Sequence, residues 1–254
     1  MDDDRSLPRF LAPGPCHTGD IVRLAAPQSR HMVTVLRRRM GDRVRVFTGD
    51  GREYLASIEQ AHPQGAAVRI GEPFRPERPS PTRLVLAFAP APGQRTDALV
   101  EKATELGATC LQPLLCERLQ GFQGHAASRR TQRWQRKAEE AARQAQRTSL
   151  PELLCPVTLD AFLADCDCAL RLLADPAGAS LWDALAAQAE RPASVAMAVG
   201  PAGGFTRREL ELAAEAQFAP VSLGPHVLRV ETAALSVLAT LAAWLAGGEQ
   251  RGSV

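Results

Sequence analysis

The sequence predicts an α/β protein in which a small β-barrel precedes a mostly parallel sheet with helices on both faces. Two patterns in the 254 residues carry this prediction. About the first 70 residues contain several short strands with tight turns, which is typical of a small barrel. Beyond a proline-rich segment, apolar strands alternate with helices, which is typical of a parallel sheet.

The N-terminal region has four predicted strands, at 21–24, 43–47, 54–59 and 66–70. Asp50-Gly51 is a hairpin turn signal between the second and third of them. A short helix is expected within 29–39. The segment 73–81, PFRPERPSP, then predicts a stiff linker. The expected domains are therefore 1–75 and 82–254.

After the linker, the apolar runs predict strands at 83–89, 110–115, 168–174, 194–199 and 220–223, with helices at 97–106, 128–147 and 181–190. Gly107 ends the first of these helices as a C′ glycine. Asp175-Pro176 is expected to be a turn. Because chains rarely thread their own loops, this pattern taken alone predicts an unknotted sheet.

Two glycine- and proline-bearing loops follow neighbouring predicted strands, namely 200–204 (GPAGG) and 223–225 (LGP). Loops at the carboxyl ends of parallel strands are where open α/β sheets bind ligands. Thr206 with Glu209 forms a capping-box pattern that starts a helix and anchors the first loop. We therefore expect the two loops to hold one small molecule between them.

The run 233–246 is almost entirely apolar, yet it is short and alanine-rich for a membrane span. It predicts a helix buried in the core, or one buried partly in the core and partly in a subunit interface. The second alternative predicts a dimer.

Charge is unevenly distributed, although the net charge is only +2. The chain has 28 Arg and two Lys. Residues 5–75 contain 12 Arg but only six acidic residues. A GC-rich genome explains the arginine bias, and arginine also binds phosphate in a bidentate manner. A phosphate-facing patch at 37–39 with Arg23, Arg30, Arg43 and Arg45 is one interpretation, and a scattered solvated surface is the other.

The six cysteines show no metal-ligand spacing, so reduced thiols in a cytosolic protein are expected and no metal is. The N-terminal MDDDRSLPRF is acidic and lacks the apolar segment of a signal peptide. We therefore expect a cytoplasmic location and no membrane partner.

Five segments together resemble one family. They are GPAGGF with LGPHVLRVETAAL, HMVTVLRRRMGDRVRVFTGD, VEKATELG, PLLCER, and 133–151 with its core EAARQAQRTSLP. The chain resembles the SPOUT-class RNA methyltransferases that methylate uridine N3 in bacterial small-subunit (16S) ribosomal RNA. The resemblance implies a PUA-like RNA-binding barrel, a parallel-sheet domain with a trefoil knot, S-adenosyl-L-methionine as cofactor, and a homodimer.

The resemblance also implies site residues. Cofactor-binding positions are Leu173, Gly200, Gly203, Gly204, Leu223, Gly224, Val227 and Leu228, of which Leu173, Val227 and Leu228 are expected as apolar walls. RNA-binding positions from the resemblance are Arg9 (in the Arg-Phe pair that opens the family's first domain), Arg118 and Arg147, and the arginine-rich patch adds Arg30 and Arg37. Arg147 shares a predicted helix face with Glu140 and Gln144.

Arg229 and Glu231 are the candidate catalytic residues, at the mouth of the expected site. Arg229 is expected to hold phosphate or the uracil carbonyls. For Glu231, proton acceptance and capping of the final helix both remain open.

One position departs from the family, because Ala202 replaces the Glu of its GPEGG loop. This raises the alternative of a weak or inactive RNA-binding protein that keeps the fold. A nucleotide-dependent oxidoreductase is a further alternative, although GPAGGF lacks the G-x-G-x-x-G order.

Overall fold

The computed structural model describes residues 3–75, 82–120, 122 and 125–249. The chain forms two compact units. The first comprises Met1–Pro79 together with Ala142–Leu150, and the second comprises Ser80–Ala141 together with Pro151–Val254.

The first unit contains a mixed five-stranded sheet. Its elements are a 3₁₀ turn at Asp3–Ser6, β1 (Arg9–Leu11), β2 (Ile21–Arg23), α1 (Ala26–Arg30) continued by a π turn at His31–Val35, β3 (Arg43–Phe47), β4 (Glu53–Gln60) and β5 (Ala67–Arg75). The strand order is β1-β3-β4-β5-β2, and only the β1–β3 pair is parallel. No β1–β2 pair closes the sheet among the described residues, so the expected PUA-like barrel is confirmed as a half-barrel.

The core of the first unit lies inside this curved sheet, around Phe10, Met32, Val46 and Ile58. Strand β1 was not predicted, because a three-residue strand is too short to show a hydrophobic period. Helical backbone runs from 26 to 35 rather than 29 to 39. Strand β5 continues through 73–75, the start of the expected linker, and 76–81 lie outside the described residues.

The second unit alternates strands and helices, as predicted. Its elements are β6 (Arg83–Phe88), α2 (Arg95–Glu105), β7 (Cys110–Leu115), α3 (His125–Gln144, whose last turn belongs to the first unit), β8 (Glu152–Leu153), β9 (Val157–Thr158), α4 (Leu159–Asp165), β10 (Leu170–Ser180), α5 (Leu181–Ala186), β11 (Ser194–Val199), α6 (Arg207–Glu215), β12 (Ala219–Ser222) and α7 (Val230–Glu249). The sheet order is β12-β10-β11-β6-β7-β8, with β9 paired to β7, and every pair is parallel. The α/β class is confirmed.

Strand β10 departs from the prediction at its carboxyl end. The expected turn at Asp175-Pro176 is instead an irregularity inside β10, where its register with β12 shifts between Ala174 and Ala179. Gly178 sits in this stretch, and a Cβ there would lie 2.4 Å from the backbone carbon of Pro220. The chain therefore approaches β12 closely here, and Asp175 lines one cavity with the loops that follow β11 and β12.

Helix α7 buries one face only. Ala234, Val237, Leu238 and Leu241 are fully buried in the main core, whereas the positions at 232, 236, 239 and 243 are exposed. By length and composition alone, Val230–Gly247 could cross a membrane, with a mean hydropathy of 1.5. Core helices of soluble proteins meet the same criterion. In this structure α7 packs against α2, β6 and β11.

Candidate active site

The carboxyl ends of β10, β11 and β12 surround a narrow cavity of about 120 Å³. It brings together six of the predicted cofactor-binding residues, which are Gly200, Gly204, Leu223, Gly224, Val227 and Leu228. Three further polar residues line it, Asp175, Ser222 and His226, none of which was predicted from the sequence. Asp175 could have been found from the rule that ligands contact residues just after parallel strands.

Glycine is required at two of these positions for different reasons. A Cβ on Gly200 would lie 2.9 Å from the ring of Phe205, which also lines the cavity. Gly204 has φ +68° and its N–H donates to the carbonyl of Pro201 at 2.8 Å, closing the tight turn of the first loop. The first loop therefore combines close packing with a left-handed backbone.

Leu173 does not line this cavity. It is 1% exposed and packs with Ala198, Phe205 and Phe218 in the core on one side of the sheet. Successive side chains of a strand point to opposite faces, so the next residue, Ala174, forms the wall instead. The cavity wall that was predicted at Leu173 is formed in this structure by the neighbouring residue, Ala174.

A second, larger cavity of about 640 Å³ adjoins the first and shares Ala202, Val227 and Leu228 with it. It brings together the remaining predicted residues of this region, which are Gly203, Arg118, Arg229 and Glu231, and adds Arg95, Glu117 and Gln120. The arrangement is a narrow apolar slot that opens into a wider, charged chamber.

Glu231 is the most unusual group in the chamber. Its side chain is 19% exposed, and Oε1 lies 3.8 Å from Arg95 Nε. Oε2 is buried and accepts no hydrogen bond. Because leaving a buried carboxylate oxygen unpaired is costly, we expect a water molecule or a ligand in the chamber to be its partner.

Two arginines flank Glu231 in different ways. Arg229 is exposed at the chamber mouth, and its carbonyl accepts the Ala233 N–H of the first turn of α7. Arg118 Nη1 donates to the carbonyl oxygens of Gly203 at 2.7 Å and Phe205 at 3.3 Å. Arg118 therefore holds the first glycine loop in place and still lines the chamber.

The capping box predicted at Thr206 is present. Thr206 Oγ1 accepts the Glu209 N–H at 3.2 Å, and Glu209 Oε2 accepts the Thr206 N–H at 2.7 Å. Helix α6 is thereby anchored directly after the first loop.

Arg9 lies inside the first unit and not on its surface. Its Nε donates to Glu53 at 2.6 Å, and Nη1 and Nη2 donate to the carbonyls of Arg143 and Arg147 at 3.0 Å. The guanidinium also lies 4.6 Å from the centre of the Phe47 ring. Every guanidinium nitrogen has an acceptor within the unit, which gives Arg9 a structural role; RNA contact at Arg9 stays a prediction.

The other predicted RNA-binding residues of the first unit differ in accessibility. Arg30 and Arg37 are exposed. Arg147 is half-buried, its Nη2 lies 3.4 Å from Ser149 Oγ, and burial lowers its pKa. Arg147 is therefore held mainly by its own unit.

Two family models match the chain. The model of an RNA methyltransferase domain covers residues 78–242, and that of an RNA methyltransferase PUA domain covers residues 24–71. The chain is 34% identical to Ribosomal RNA small subunit methyltransferase E of Synechocystis sp. over 88% of its own length and 73% of the relative's. The protein of that name from Mycobacterium tuberculosis is 30% identical, with 87% and 86% covered.

The chain belongs to the ribosomal RNA small subunit methyltransferase E family.

Solved relatives share the family fold along almost their whole length. Ribosomal RNA small subunit methyltransferase E from Neisseria gonorrhoeae, solved with S-adenosyl methionine, superposes with a TM-score of 0.82 at 29% identity, covering 93% of this chain and 97% of that one. A Legionella pneumophila protein described as a methyltransferase, solved with its cofactor SAM, gives 0.84 at 35% identity, with 92% and 96% covered. The predicted family is confirmed, and the SPOUT class and its knot are consistent with it.

Proposed function

We propose that this methyltransferase family member transfers a methyl group from S-adenosyl-L-methionine to N3 of a uridine in bacterial 16S ribosomal RNA. Relatives of this name cover most of the chain, and two solved relatives carry the cofactor. The observation in this structure that carries the proposal is the unpaired Oε2 of Glu231, in a chamber that adjoins a glycine-lined slot.

The lining of the narrow cavity suits the adenosine part of the cofactor. Leu223, Val227 and Leu228 supply apolar surface for a flat adenine, and the absence of a Cβ at Gly200 lets the Phe205 ring pack closely against the first loop. Asp175 offers a carboxylate to ribose hydroxyls. When bound, the cofactor supplies an electrophilic methyl group on a sulfonium sulfur, so no metal is required.

The chamber fits the uracil ring. N3 of uridine carries a proton that must leave before N3 can attack, and we assign Glu231, which lines the chamber, as the acceptor of that proton. Negative charge then develops on the two carbonyl oxygens of the base. Arg229 and Arg95 line the same chamber and stabilise that charge electrostatically.

Glu231 also lies in the first turn of α7, where a carboxylate stabilises the helix dipole. The two roles separate on substitution, because Glu231→Gln keeps a hydrogen-bonding side chain of the same size but cannot accept the N3 proton. A role confined to the helix terminus would change stability by less than about 1 kcal/mol and leave turnover nearly intact.

We assign RNA contact to the first unit at Arg30 and Arg37, which are exposed. Exposed Val35 and Met40 flank the arginines in the same segment, so apolar and cationic groups lie side by side there, as suits bases and phosphates. The proposed division of labour is RNA binding by 1–75 and methyl transfer by 82–254.

We also propose a homodimer and a cytoplasmic location. The exposed face of α7 and the exposed ring of Trp182, which is 64% accessible, support a subunit interface. Light scattering should give a mass near twice the 27.3 kDa of the chain. A mass of one chain at working concentration contradicts the dimer.

The test is methyl transfer from labelled S-adenosyl-L-methionine to small ribosomal subunits from cells that lack the protein, followed by mass spectrometry of nucleosides. We expect 3-methyluridine to form, and Glu231→Gln to lower kcat by about 10²–10⁴-fold while the cofactor Kd stays unchanged. Glu211→Gln, at an exposed position of α6, is the matched control.

Ala202 raises the alternative of a catalytically weak or inactive RNA-binding protein that keeps the fold, and this alternative is not favoured because the matched relatives are methyltransferases. Cofactor binding without methyl transfer by the unaltered chain would select it. The oxidoreductase alternative is not favoured, because the matched relatives are methyltransferases.

A further inference from the structure

A third cavity of about 210 Å³ lies at the amino-terminal ends of the strands of the parallel sheet. Arg83 and Cys110 are the first residues of β6 and β7, and Cys168 lies two residues before β10. The cofactor loops follow the last residues of β11 and β12. Since all these strands are parallel, the third cavity and the proposed methyltransferase site are at opposite ends of the strands and are separate.

Cys166 and Cys168 line this cavity together and form a C-x-C pair. Cys166 is the C-cap of α4 and is partly exposed, whereas Cys168 is 3% exposed. The two thiols therefore share one cavity and are separated by one residue in sequence. The more accessible sulfur is that of Cys166, and the buried Cys168 lies beside it in the cavity.

The segment that carries the two thiols is fixed by backbone hydrogen bonds. The Ala169 N–H donates to Ser194 Oγ at 2.9 Å, and Arg171 Nε donates to the Cys168 carbonyl at 3.0 Å. Arg171 Nη1 continues to the carbonyl of Ala216 at 3.0 Å. The pair is therefore held in one geometry by its neighbours on β11 and after α6.

The surrounding charges favour a thiolate at Cys166. The hydrogen bond from the Cys168 thiol, the backbone N–H of Cys168 and the charge of Arg171 hold the pKa of Cys166 well below its ordinary range, against burial and Asp167, which raise it. Arg83 donates to Asp167 at 3.1 Å and so partly neutralises that carboxylate. The thiolate is the nucleophilic form of cysteine.

The other cysteines differ. Burial raises the pKa of Cys110 to about 11, so its thiol stays protonated although it lines the same cavity. Within the described part of the chain, no group of three or more His, Cys, Asp or Glu side chains is arranged to hold a metal ion. This favours thiol oxidation over metal binding.

We propose that Cys166 and Cys168 form an oxidisable dithiol, a modification site for hydroperoxides that is separate from the methyltransferase site. The Cys166 thiolate attacks one peroxide oxygen and the O–O bond breaks, which leaves a sulfenic acid at Cys166 and releases hydroxide or alkoxide. The Cys168 sulfur then attacks the sulfenic sulfur, the S–O bond breaks, and water leaves with the Cys168 proton. Two electrons pass from the two thiols to the peroxide.

The test treats the reduced full-length protein with one equivalent of hydrogen peroxide and maps the products by mass spectrometry. We expect a loss of about 2 Da located in the peptide that spans Cys166 and Cys168. In Cys168→Ser, dimedone should trap a sulfenic acid at Cys166, because the resolving thiol is absent. In Cys166→Ser, the loss of 2 Da from that peptide should disappear.

Cys155, which is exposed, provides the matched comparison. Near neutral pH, iodoacetamide should alkylate Cys166 at least about tenfold faster than Cys155, and Cys168→Ala should remove most of that advantage. Oxidation that begins at Cys155, or equal alkylation of both cysteines in the folded protein, overturns the proposal. Neither peroxide oxidation nor alkylation requires methyltransferase activity, so both measurements test this proposal separately from the proposed function.

Discussion

Glu209 Oε1 accepts a hydrogen bond from the backbone N–H of Glu117 at 2.9 Å. Glu209 is 1% exposed, and its other oxygen accepts the Thr206 N–H, so one buried carboxylate joins the end of β7 to the start of α6. Residues on both sides of this link line the proposed uridine chamber. The chamber therefore depends on a residue that does not itself line it.

Replacing Glu209 should destabilise the protein strongly. Glu209→Ala leaves two N–H groups without their acceptor, and each such loss costs about 1–3 kcal/mol. We expect a decrease of roughly 2–5 kcal/mol in the free energy of unfolding, measured by urea denaturation. Glu211→Ala, two residues on and exposed, should change it by less than about 0.5 kcal/mol. Equal effects of the two substitutions would show that the link is unimportant.

Gly200→Ala should weaken cofactor binding. The added Cβ would lie 2.9 Å from the Phe205 ring, so the ring must shift into the narrow cavity that both residues line. We expect the Kd for S-adenosyl-L-methionine to rise at least about tenfold in calorimetry, since 1.4 kcal/mol is a factor of ten. Gly14→Ala is the control, because nothing lies within 4 Å of a Cβ there. An unchanged Kd for Gly200→Ala would place the cofactor elsewhere.

Ala202→Glu should leave cofactor binding intact. Ala202 is exposed and lies where the two cavities meet, so a longer side chain can turn toward the chamber without filling the slot. We expect a Kd within about threefold of the unaltered chain, a change below about 1 kcal/mol. We expect turnover to rise, because the family's carboxylate is restored. Loss of cofactor binding would contradict the proposed position of the first glycine loop.

Arg9→Ala should destabilise the first unit and not merely weaken RNA binding. The substitution removes one partner of a buried ion pair with Glu53, which typically costs about 3–5 kcal/mol. Urea denaturation followed by the fluorescence of the single Tyr54 and the tryptophans measures this cost. Arg30→Ala, at an exposed site, should instead lower RNA affinity with little change in stability. A loss of RNA affinity in a fully stable Arg9→Ala protein would restore the direct contact.

The free energy of unfolding should fall as the pH rises, because the thiol of Cys116 is buried. Burial, with a smaller contribution from Glu209, raises the pKa of Cys116 from 9.0 to about 12. Between these values the unfolded chain loses the proton while the folded chain keeps it, so the stabilisation present below pH 9 is lost as the pH rises. Cys116→Ala should reduce the decrease in unfolding free energy between pH 8 and pH 10 by about 1 kcal/mol. Cys155→Ala, which removes an exposed thiol, should leave that decrease unchanged.

Much of the architecture was predictable from local sequence. Strands β3, β7 and β11 match their predicted bounds, and the capping box at Thr206 is formed as expected. Hydrophobic period and cap chemistry depend on neighbours within a few residues, so they can be read directly. The short strands β1, β8 and β9 were missed because two or three residues show no period; they form because longer strands pair with them.

The candidate site was predictable only in part. Glycines at 200, 204 and 224 were found because a loop after a strand is a local pattern, and all three line the slot. Leu173 was selected in place of Ala174 because the sequence does not show which side of a strand faces a ligand. Arg95 was missed because it comes from the distant start of α2.

The sequence by itself determined the order of the elements, the two glycine loops, the helix start at Thr206 and the family. Only the tertiary structure decided that Arg9 is buried while Arg37 is exposed, that one oxygen of Glu231 is left without a partner, and that the thiols of Cys166 and Cys168 share a cavity. The physical reason is that helix and strand patterns arise from interactions between near neighbours. Burial, ion pairing and thiol reactivity are set by groups that are distant in sequence and meet only when the chain is packed.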